Sequence, residues 1–434
     1  MLAPALDLAR ETFRALIDLV LALPRHICAW SRRNSHLAEF NELTVARLDT
    51  SNPNPASSSH LNRIFISCGD ASGESHALAL AKVLTNRNPH LQIAGFGGKR
   101  LKEFGMEVWA PLADLNVMGF ADVASRLPLF FRCVTRFSKE IKKNPPDAIV
   151  LVDYPGLNRH LLRIAARAGV PVIHHIAPQL WAWAPWRIKD FSKATNITTI
   201  LPFEDKWYQS RGTQTSFVGH PLGDQLCHTE SDEANLPAAI EESRPWIGIL
   251  PGSRRREIRN NLPSLLQAAS ILRQRNPNWG FVLPHLRPEV LKQAHQEKLP
   301  EWVVEAPGCW HSILPRLSAA WVTSGTAVLE VAAHGVPPVV VYRIPSKIGA
   351  WLAKNALAVP HIASLNLIAG ECISPEHVGK NLDVVKIGED IEALVQGPKR
   401  KDWEKKMESL RPLFAEPGAA SRTAYLVEEI ASSD

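Results

Sequence analysis

The sequence predicts an α/β protein with two doubly wound domains that face a cleft, preceded by an N-terminal helical extension. After residue 62, short and nearly continuous apolar segments alternate with helical segments. This pattern is typical of parallel strands covered by helices on both faces. Each half of the region also begins as a strand, a glycine-containing loop and a helix. The predicted strands are residues 64–67, 93–96, 148–152, 172–175, 198–201, 246–250, 280–283, 320–323 and 339–341.

The division into domains follows from one interruption in this series. A polar, acidic stretch at residues 229–242 separates the two halves, so we place the junction there. With 434 residues, of which 45% are hydrophobic, the chain is long enough for two separate cores. The predicted parts are an extension and linker at 1–62, Rossmann-like domains at 63–228 and 229–411, and a C-terminal helix at 412–434 that returns to the first domain.

The N-terminal extension predicts an amphipathic helix. Residues 2–23 are rich in Leu and Ala, and charges at 7, 10, 11, 14 and 18 recur three or four residues apart, which places most of them on one side of a helix. These charges argue against a signal peptide or a transmembrane helix. Pro24 is expected to break the helix, and residues 50–60 to form a flexible linker. A helix lying on a membrane and a helix docked on protein fit this pattern equally well.

Composition restricts the cofactors and partners. The net charge of +6 suits an anionic membrane or a phosphorylated substrate, and it is also ordinary for a basic protein. Six scattered cysteines without a C-x-x-C pair predict neither a zinc site nor a disulfide framework. The segment 95–98 lacks the G-x-G-x-x-G spacing, and no P-loop motif is present, which disfavours dehydrogenases and NTPases. We predict no metal, no cofactor and no nucleic-acid partner.

Two strand–loop–helix elements in the second half are candidates for phosphate binding. The start of a helix attracts anions through its free N–H groups and its dipole. Single loops of this kind are often only helix caps, but two in one domain, one carrying three consecutive arginines, favour a diphosphate ligand. The candidate residues are Ser253, Arg254 and Glu257 in the first loop, and Ser324, Gly325, Thr326 and Glu330 in the second.

Three loops in the first half carry polar residues at predicted strand ends, where open α/β sheets bind ligands. Asp153 directly follows the apolar strand 148–152, so its carboxylate is the leading candidate for a general base. Capping of the next helix is the alternative role for Asp153. Asp70 is a second catalytic candidate, although Asp70 and Glu74 also fit acids at a helix start. Trp181 and Trp183 fit either the core or a sugar or acyl site.

A series of motifs, in this order, resembles the bacterial lipid-A-disaccharide synthase family, whose members have the GT-B fold. The resemblance extends from about residue 64 to about residue 376. Its motifs are GDASGE at 69–74, GFGGKRL at 95–101, VMGFADV at 117–123, VDYPGLN at 152–158, APQLWAW at 177–183, LPFEDKWY at 201–208, VGHPLGD at 218–224, LPGSRRREI at 250–258, SGTAVLE at 324–330 and LNLIAG at 365–370.

The resemblance implies an inverting transfer of diacylglucosamine from UDP-2,3-diacylglucosamine to 2,3-diacylglucosamine 1-phosphate (lipid X), which releases UDP. Asp153 would deprotonate the acceptor hydroxyl, and the two loops of the second domain would hold the diphosphate. By the same resemblance, Asn366 and Glu376 would help to bind the uridine nucleotide. We assign the acceptor and lipid site to Ser72, Gly73, Met118, Gly119, Trp181, Trp183 and His220.

A lipid acceptor further implies a membrane partner. The resemblance places the protein in the cytoplasm, peripheral on the inner face of the cytoplasmic membrane, and an apolar cluster at 127–132 is a candidate docking patch; a buried amphipathic helix is its alternative. A homodimer is left open. Departures from the family pattern include the inverted acids Asp70 and Glu74, and Leu365 where proline is usual. The alternatives are another GT-B enzyme acting on UDP-N-acetylglucosamine, either an epimerase or an N-acetylglucosaminyltransferase, and a degenerate lipid- or nucleotide-binding protein.

Overall fold

The computed structural model describes residues 2–43, 61–115, 126–227, 235–240, 244–285, 288–294, 299–347, 349–351 and 357–432. The predicted linker at 50–60, the acceptor-site candidates Met118 and Gly119, and most of the acidic stretch at 229–242 lie outside these residues. Within them, no helix is long and apolar enough to cross a membrane. The chain forms two compact units, unit 1 from Met1–Asp224 with Pro417–Asp434, and unit 2 from Gln225–Glu416.

Unit 1 contains a parallel seven-stranded sheet in the order β3-β2-β1-β4-β5-β6-β7. The chain runs outward from β1 to β3 and then returns to the other side of β1, so the strand order reverses between β1 and β4. Such a reversal opens a crevice at the carboxyl ends of the two strands, where open α/β sheets bind ligands. The strands are β1 (Arg63–Ser67), β2 (Gln92–Phe96), β3 (Glu107–Ala110), β4 (Ala148–Val152), β5 (Val172–His175), β6 (Asn196–Thr199) and β7 (Thr215–Phe217).

The helices of unit 1 cover both faces of this sheet. Apolar side chains of β1, β4 and the first long helix after β1 form its buried core. The helices are α1 (Leu2–Val20), α2 (Ala22–Ser31), α3 (Arg33–Asn41), α4 (Ala71–Arg87), α5 (Lys99–Phe104), α6 (Leu127–Lys143), α7 (Pro155–Ala168), α8 (Leu180–Trp183), α9 (Ile188–Phe191), α10 (Glu204–Gln209) and α11 (Leu222–Cys227).

Unit 2 repeats the same plan with a parallel six-stranded sheet in the order β10-β9-β8-β11-β12-β13. Its strand order reverses between β8 and β11. The strands are β8 (Trp246–Leu250), β9 (Gly280–His285), β10 (Val303–Pro307), β11 (Ala319–Val322), β12 (Pro338–Arg343) and β13 (Glu376–Gly379). The helices are α12 (Arg255–Arg275), α13 (Pro288–Ala294), α14 (Trp310–Ile313), α15 (Thr326–Ala333), α16 (Ser364–Ala369), α17 (Val384–Gln396), α18 (Pro398–Leu410) and α19 (Pro412–Ala415).

The last helix, α20 (Ala419–Ala431), belongs to unit 1 and packs against α4. The carboxylate of Glu428 on α20 accepts a paired hydrogen bond from Arg87, whose Nε and Nη2 lie 3.0 and 2.7 Å from its oxygens, and a third hydrogen bond from Asn88 at 2.9 Å. At the start of α20, Asp224 accepts hydrogen bonds from the backbone N–H groups of Gly418 and Ala420. A carboxylate from the end of the first chain segment therefore caps the helix that completes unit 1.

Helix α1 is amphipathic, but its charged side faces the protein and its apolar side faces outward, the reverse of an ordinary surface helix. Its buried side chains are the acids Asp7 and Glu11, whereas Phe13, Leu16 and Val20 are 65%, 57% and 74% exposed. The break predicted at Pro24 lies instead at Leu21, because Pro24 falls in the first turn of α2, where its missing N–H is not needed.

Ion pairs hold α1 on α6 and α7. Asp7 accepts hydrogen bonds from Ser138 (2.7 Å) and Lys142 on α6, and from Arg167 (3.0 Å) on α7. Glu11 accepts a hydrogen bond from Arg163 at 2.9 Å and lies 3.0 Å from His160. Burial would raise the pKa of Glu11, but the hydrogen bond to His160 and the charge of Arg163 lower it below the usual value.

Candidate functional site

In unit 1, Asp153 follows β4 at the point where the strand order reverses. The pKa of Asp153 is raised to about 6, first by burial and then by the charge of Asp70, while a hydrogen bond from the backbone of Tyr154 acts in the opposite direction. Helix α7 begins after Tyr154 without a side-chain cap, so the capping role considered for Asp153 is not what the structure shows. A carboxylate with this pKa is ionised at neutral pH and accepts protons better than an ordinary aspartate.

The backbone at Asp153 is held in an uncommon conformation. Asp153 and Tyr154 have φ angles of 41° and 48°, in the left-handed region that non-glycine residues rarely adopt. Fully buried Asn158 secures this turn by donating hydrogen bonds to the carbonyl groups of Val152 (3.1 Å) and Asp153 (2.8 Å). Its amide oxygen accepts a hydrogen bond from the Ser67 hydroxyl at the end of β1, at 2.7 Å. Asn158 thus joins the two strands that border the crevice.

Asp70, the second catalytic candidate, is the N-cap of α4 and accepts a hydrogen bond from the N–H of Gly73 at 2.6 Å. Glu74 is buried, and its Oε1 accepts from the N–H of Leu101 at 3.1 Å, in the first turn of α5. Helix α5 has glycine at its N-cap position and no side-chain cap of its own. Glu74 therefore stabilises a helix start, and Asp70 combines a capping role with an electrostatic effect on Asp153.

The remaining acceptor-site candidates of unit 1 differ in accessibility. Trp181 is buried and donates from its indole nitrogen to Glu204 at 3.0 Å, whereas Trp183 is 38% exposed. His220 is buried, and its Nδ1 accepts a hydrogen bond from the N–H of Leu222 at 3.1 Å. Hydrogen bonds therefore hold Trp181 and His220 in the interior, whereas the ring of Trp183 is partly exposed. Ser72 is exposed at the start of α4, and Gly73 is buried beneath it.

Glu204 is a functional candidate that sequence reasoning did not single out. It is 1% exposed, and burial raises its pKa to about 7, with a further contribution from the charge of Asp153. Its other oxygen accepts from the N–H groups of Ile200 and Leu201, both at 3.0 Å. Its position in the LPFEDKWY motif was the available signal, but the motif alone does not show that the carboxylate is buried near a second carboxylate.

In unit 2, the first predicted phosphate loop follows β8 and enters α12. Glu257 accepts hydrogen bonds at 3.2 Å from the N–H groups of both Ser253 and Arg254, so it folds the loop back on the helix start. The Arg254 side chain is 61% exposed and pairs with Glu257 at 2.9 Å. A Cβ atom on Gly252, which has φ 112°, would lie 2.6 Å from Glu257, so this turn requires glycine.

The second predicted phosphate loop follows β11, the strand next to β8. Gly325 and Thr326 are exposed at the start of α15, and Ser324 donates weakly to the carbonyl of Ile362 at 3.4 Å. Glu330, further along α15, accepts from the indole nitrogen of Trp310 at 2.7 Å, and burial raises its pKa. The structure therefore brings both loops to the carboxyl ends of adjacent strands, as expected for a diphosphate site.

Asn261, buried in α12, fixes these two loops relative to each other. Its amide nitrogen donates to the carbonyl of Pro251 at 3.1 Å and to the hydroxyl of Thr323 at 3.0 Å. Its oxygen accepts from the N–H of Arg343 at 2.8 Å, at the end of β12. Asn261 thus plays the part in unit 2 that Asn158 plays in unit 1. Asn261 did not stand out in the sequence, and Asn158 entered only as the last residue of the VDYPGLN motif, because a buried asparagine has no distinctive pattern.

The candidate nucleotide residues Asn366 and Glu376 form one hydrogen-bonded pair. Asn366 is fully buried and donates to Glu376 at 2.7 Å, and Glu376 also accepts from the N–H groups of Ile362 and Ala363. Asn366 therefore positions Glu376 and the preceding loop. Within the described part of the chain, no three His, Cys, Asp or Glu side chains gather as a metal site would require.

Comparison with known proteins decides the family. A family model described as lipid-A-disaccharide synthetase matches residues 64–430. The chain belongs to the lipid-A-disaccharide synthetase family. The lipid-A-disaccharide synthase of Syntrophus aciditrophicus is 34% identical over 369 residues, which cover 84% of this chain and 96% of that protein. The synthase of Acidobacterium capsulatum is 33% identical over 378 residues, covering 82% and 93%.

Solved structures confirm the predicted fold of this lipid-A-disaccharide synthetase family member. A UDP-GlcNAc 2-epimerase from Neisseria meningitidis, bound to UDP-GlcNAc, has a TM-score of 0.55 at 14% identity and covers 84% of this chain and 100% of its own. The calicheamicin glycosyltransferase has a TM-score of 0.53 at 18% identity, covering 86% and 98%. These likenesses support two Rossmann-like domains of the GT-B type. The family match begins after α1–α3, which therefore lie outside it.

Proposed function

We propose that the protein transfers diacylglucosamine from UDP-2,3-diacylglucosamine to the 6-hydroxyl of 2,3-diacylglucosamine 1-phosphate, forming a β-1,6-linked disaccharide and UDP. The family and its named relatives support lipid A disaccharide formation over the epimerase, N-acetylglucosaminyltransferase and binding-protein alternatives. The observation that carries the mechanism is Asp153, a carboxylate with a pKa of about 6 at the switch point of unit 1.

In this mechanism, Asp153 removes the proton from the acceptor hydroxyl as the oxygen attacks C1 of the donor. The bond from C1 to the diphosphate oxygen breaks on the opposite face, so the configuration inverts. The start of α15 and the guanidinium of Arg254 stabilise the negative charge that develops on UDP. Glu376, held by Asn366, is assigned to the uridine nucleotide.

The experiment supplies the purified protein with both acylated substrates and measures disaccharide and UDP. We expect Asp153→Asn to lose at least about a hundredfold in kcat while its affinity for UDP stays unchanged, because general base catalysis contributes at least that much. Arg254→Ala should instead weaken UDP binding. Near-normal turnover by Asp153→Asn would remove it as the base, and turnover of UDP-N-acetylglucosamine in place of the acylated donor would refute the substrate assignment.

We further propose that the protein acts at a membrane surface, peripheral on the cytoplasmic face of the inner membrane. The exposed face of α1 presents large apolar side chains, and Leu127 and Phe131 on α6 are 42% and 38% exposed. Because the acids of α1 are occupied by ion pairs, its apolar face is left for a lipid surface, which accommodates such side chains better than water does.

Flotation with anionic liposomes tests this proposal. We expect a variant with Phe13→Ser, Leu16→Ser and Val20→Ser to lose most of its association, since these side chains face away from the protein. The control variant carries Lys401→Ser and Lys405→Ser, which replace two exposed side chains on α18 of unit 2. It leaves α1 unchanged and should float as the wild type does. Equal flotation of the triple serine variant and the wild type would contradict the role of α1.

A further inference from the structure

Unit 1 contains an apolar cavity of about 460 Å³ between α1, α6 and the start of α7. Helix α1 forms one wall with Leu8, Thr12 and Ala15, and the other helices contribute Phe130, Val134 and Leu157. The volume falls within the range of small-molecule sites, roughly 300–1,000 Å³. An apolar, elongated group is therefore the kind of ligand that this cavity accommodates.

The lining of the cavity includes partly exposed residues and a neighbour of the proposed base. Leu127 and Phe131 line the cavity and are also partly exposed. Tyr154, the residue after Asp153, lines it as well. The ring of Tyr154 packs directly on Gly69, where an added Cβ would come within 2.3 Å of the ring, so Tyr154 also borders the β1–β4 crevice.

The charged side chains that line the cavity are engaged in ion pairs. Glu11 lies 3.0 Å from His160, and Arg159 donates to Asp18 at 2.7 Å. An apolar ligand would therefore enter without meeting an unpaired charge on these residues, which would otherwise oppose its binding.

From this geometry we infer that α1 completes a site for one acyl chain of the acceptor. The inference rests on the proposed function, and it assigns a substrate-binding role to a helix that precedes the family match at residue 64. The acceptor is favoured over the donor because Tyr154, which lines the cavity, directly follows Asp153, the proposed base for the acceptor hydroxyl. Each methylene that the cavity buries should then improve acceptor binding about fourfold.

The first experiment measures kcat/KM for acceptors whose short acyl chains differ by two carbons, in buffer below their critical micelle concentrations, so that each chain leaves water when it binds; the donor is held constant. We expect the wild type to gain about tenfold or more per two carbons until the cavity is filled. Ala15→Trp, which fills the cavity from α1, should flatten this dependence and leave the dependence on donor chain length intact. The control Ala9→Trp adds the same bulk at an exposed position of α1 and should keep the wild-type slope.

The inference would be overturned if kcat/KM of Ala15→Trp still rose with acceptor chain length as in the wild type. It would also be overturned if the dependence on donor chain length were lost instead. Because Ala15→Trp could displace α1, a second measurement uses the full-length wild type and an acceptor analogue with a photoreactive diazirine at the end of one acyl chain. Label is expected on the tryptic peptides of residues 11–14 and 15–25, and label confined to other peptides would refute the site. Labelling of α1 without disaccharide formation by the wild type would contradict the proposed function alone.

Discussion

Removing the charge of Asp70 should shift the pH dependence of the reaction in a defined direction. Asp153 has a pKa of about 6 against an ordinary value of 3.8, and the charge of Asp70 is the second cause of that increase after burial. As a base, Asp153 must be ionised, so kcat/KM should rise with pH through about 6 and level off above it. Asp70→Asn removes the repulsion between the two carboxylates and should move this rising limb of the pH profile to lower pH.

The size of the shift follows from the order of the two causes. The pKa of Asp153 rises from 3.8 to about 6, and burial contributes more to that increase than Asp70 does, so we expect Asp70→Asn to move the rising limb only part of the way back toward 3.8. Asparagine keeps the N-cap oxygen that accepts from Gly73, so α4 should remain intact. The substitution therefore changes charge with little change in structure.

The assay is a pH profile of kcat/KM for wild type, Asp70→Asn and a matched control. Asp114→Asn removes a charge from another capping acid of unit 1, which accepts from the N–H of Lys99 and is not a cause of the Asp153 shift. Only Asp70→Asn should move the limb. A limb that stays in place would refute the electrostatic coupling, and loss of turnover without a shift would make Asp70 a reacting group instead.

Three further predictions concern stability. Asp153→Asn should raise the free energy of unfolding at pH 8 by up to about 3 kcal/mol, because the raised pKa makes the ionised carboxylate costly in the folded state. This gain in stability should disappear below pH 4, where the wild-type carboxyl is protonated in both states. Urea titrations at both pH values test this. Glu11→Ala removes the buried carboxylate that pairs α1 with Arg163 and Arg167 and should release α1, seen as faster tryptic cleavage at Arg10 and Arg14. Acid should act likewise, because Glu11 protonates only below its usual pKa and its ion pairs are then lost. Asn261→Ala should cost about 1–3 kcal/mol and weaken UDP binding without removing a ligand contact; unchanged UDP affinity in a calorimetric titration would contradict its positioning role.

The strands that the sequence predicts differ from those it misses in one respect. All nine predicted strands exist within a few residues of their expected bounds, and all nine lie between two neighbouring strands. The four that were missed, β3, β7, β10 and β13, are the edges of the two sheets. Edge strands are half-exposed and mix polar with apolar residues, so they lack the continuous apolar run on which the prediction depends.

The site shows the same division between local and long-range information. The positions of Asp153 and of the two loops of unit 2 were predictable, because a polar residue or glycine at the end of an apolar strand is visible locally. The roles of Asn158, Asn261 and Glu204 were not, since each also depends on a partner distant in the sequence: Ser67, Thr323 and Trp181, respectively. For α1, spacing predicted the amphipathic helix, but only the basic partners on α6 and α7 determine that its acidic side faces inward.

The position of α20 has a consequence for the order in which the chain folds during synthesis. Ala424 and Val427 cover apolar side chains of α4, such as Ala77 and Leu84, yet they follow Asp224 by about 200 residues. At about 5–20 residues per second, the ribosome adds them some 10–40 s after the rest of unit 1. A chain stopped at Glu416 should therefore bind a hydrophobic dye that the full chain excludes. Unit 2 can therefore complete its fold before unit 1, whose core stays partly exposed until α20 has been synthesised.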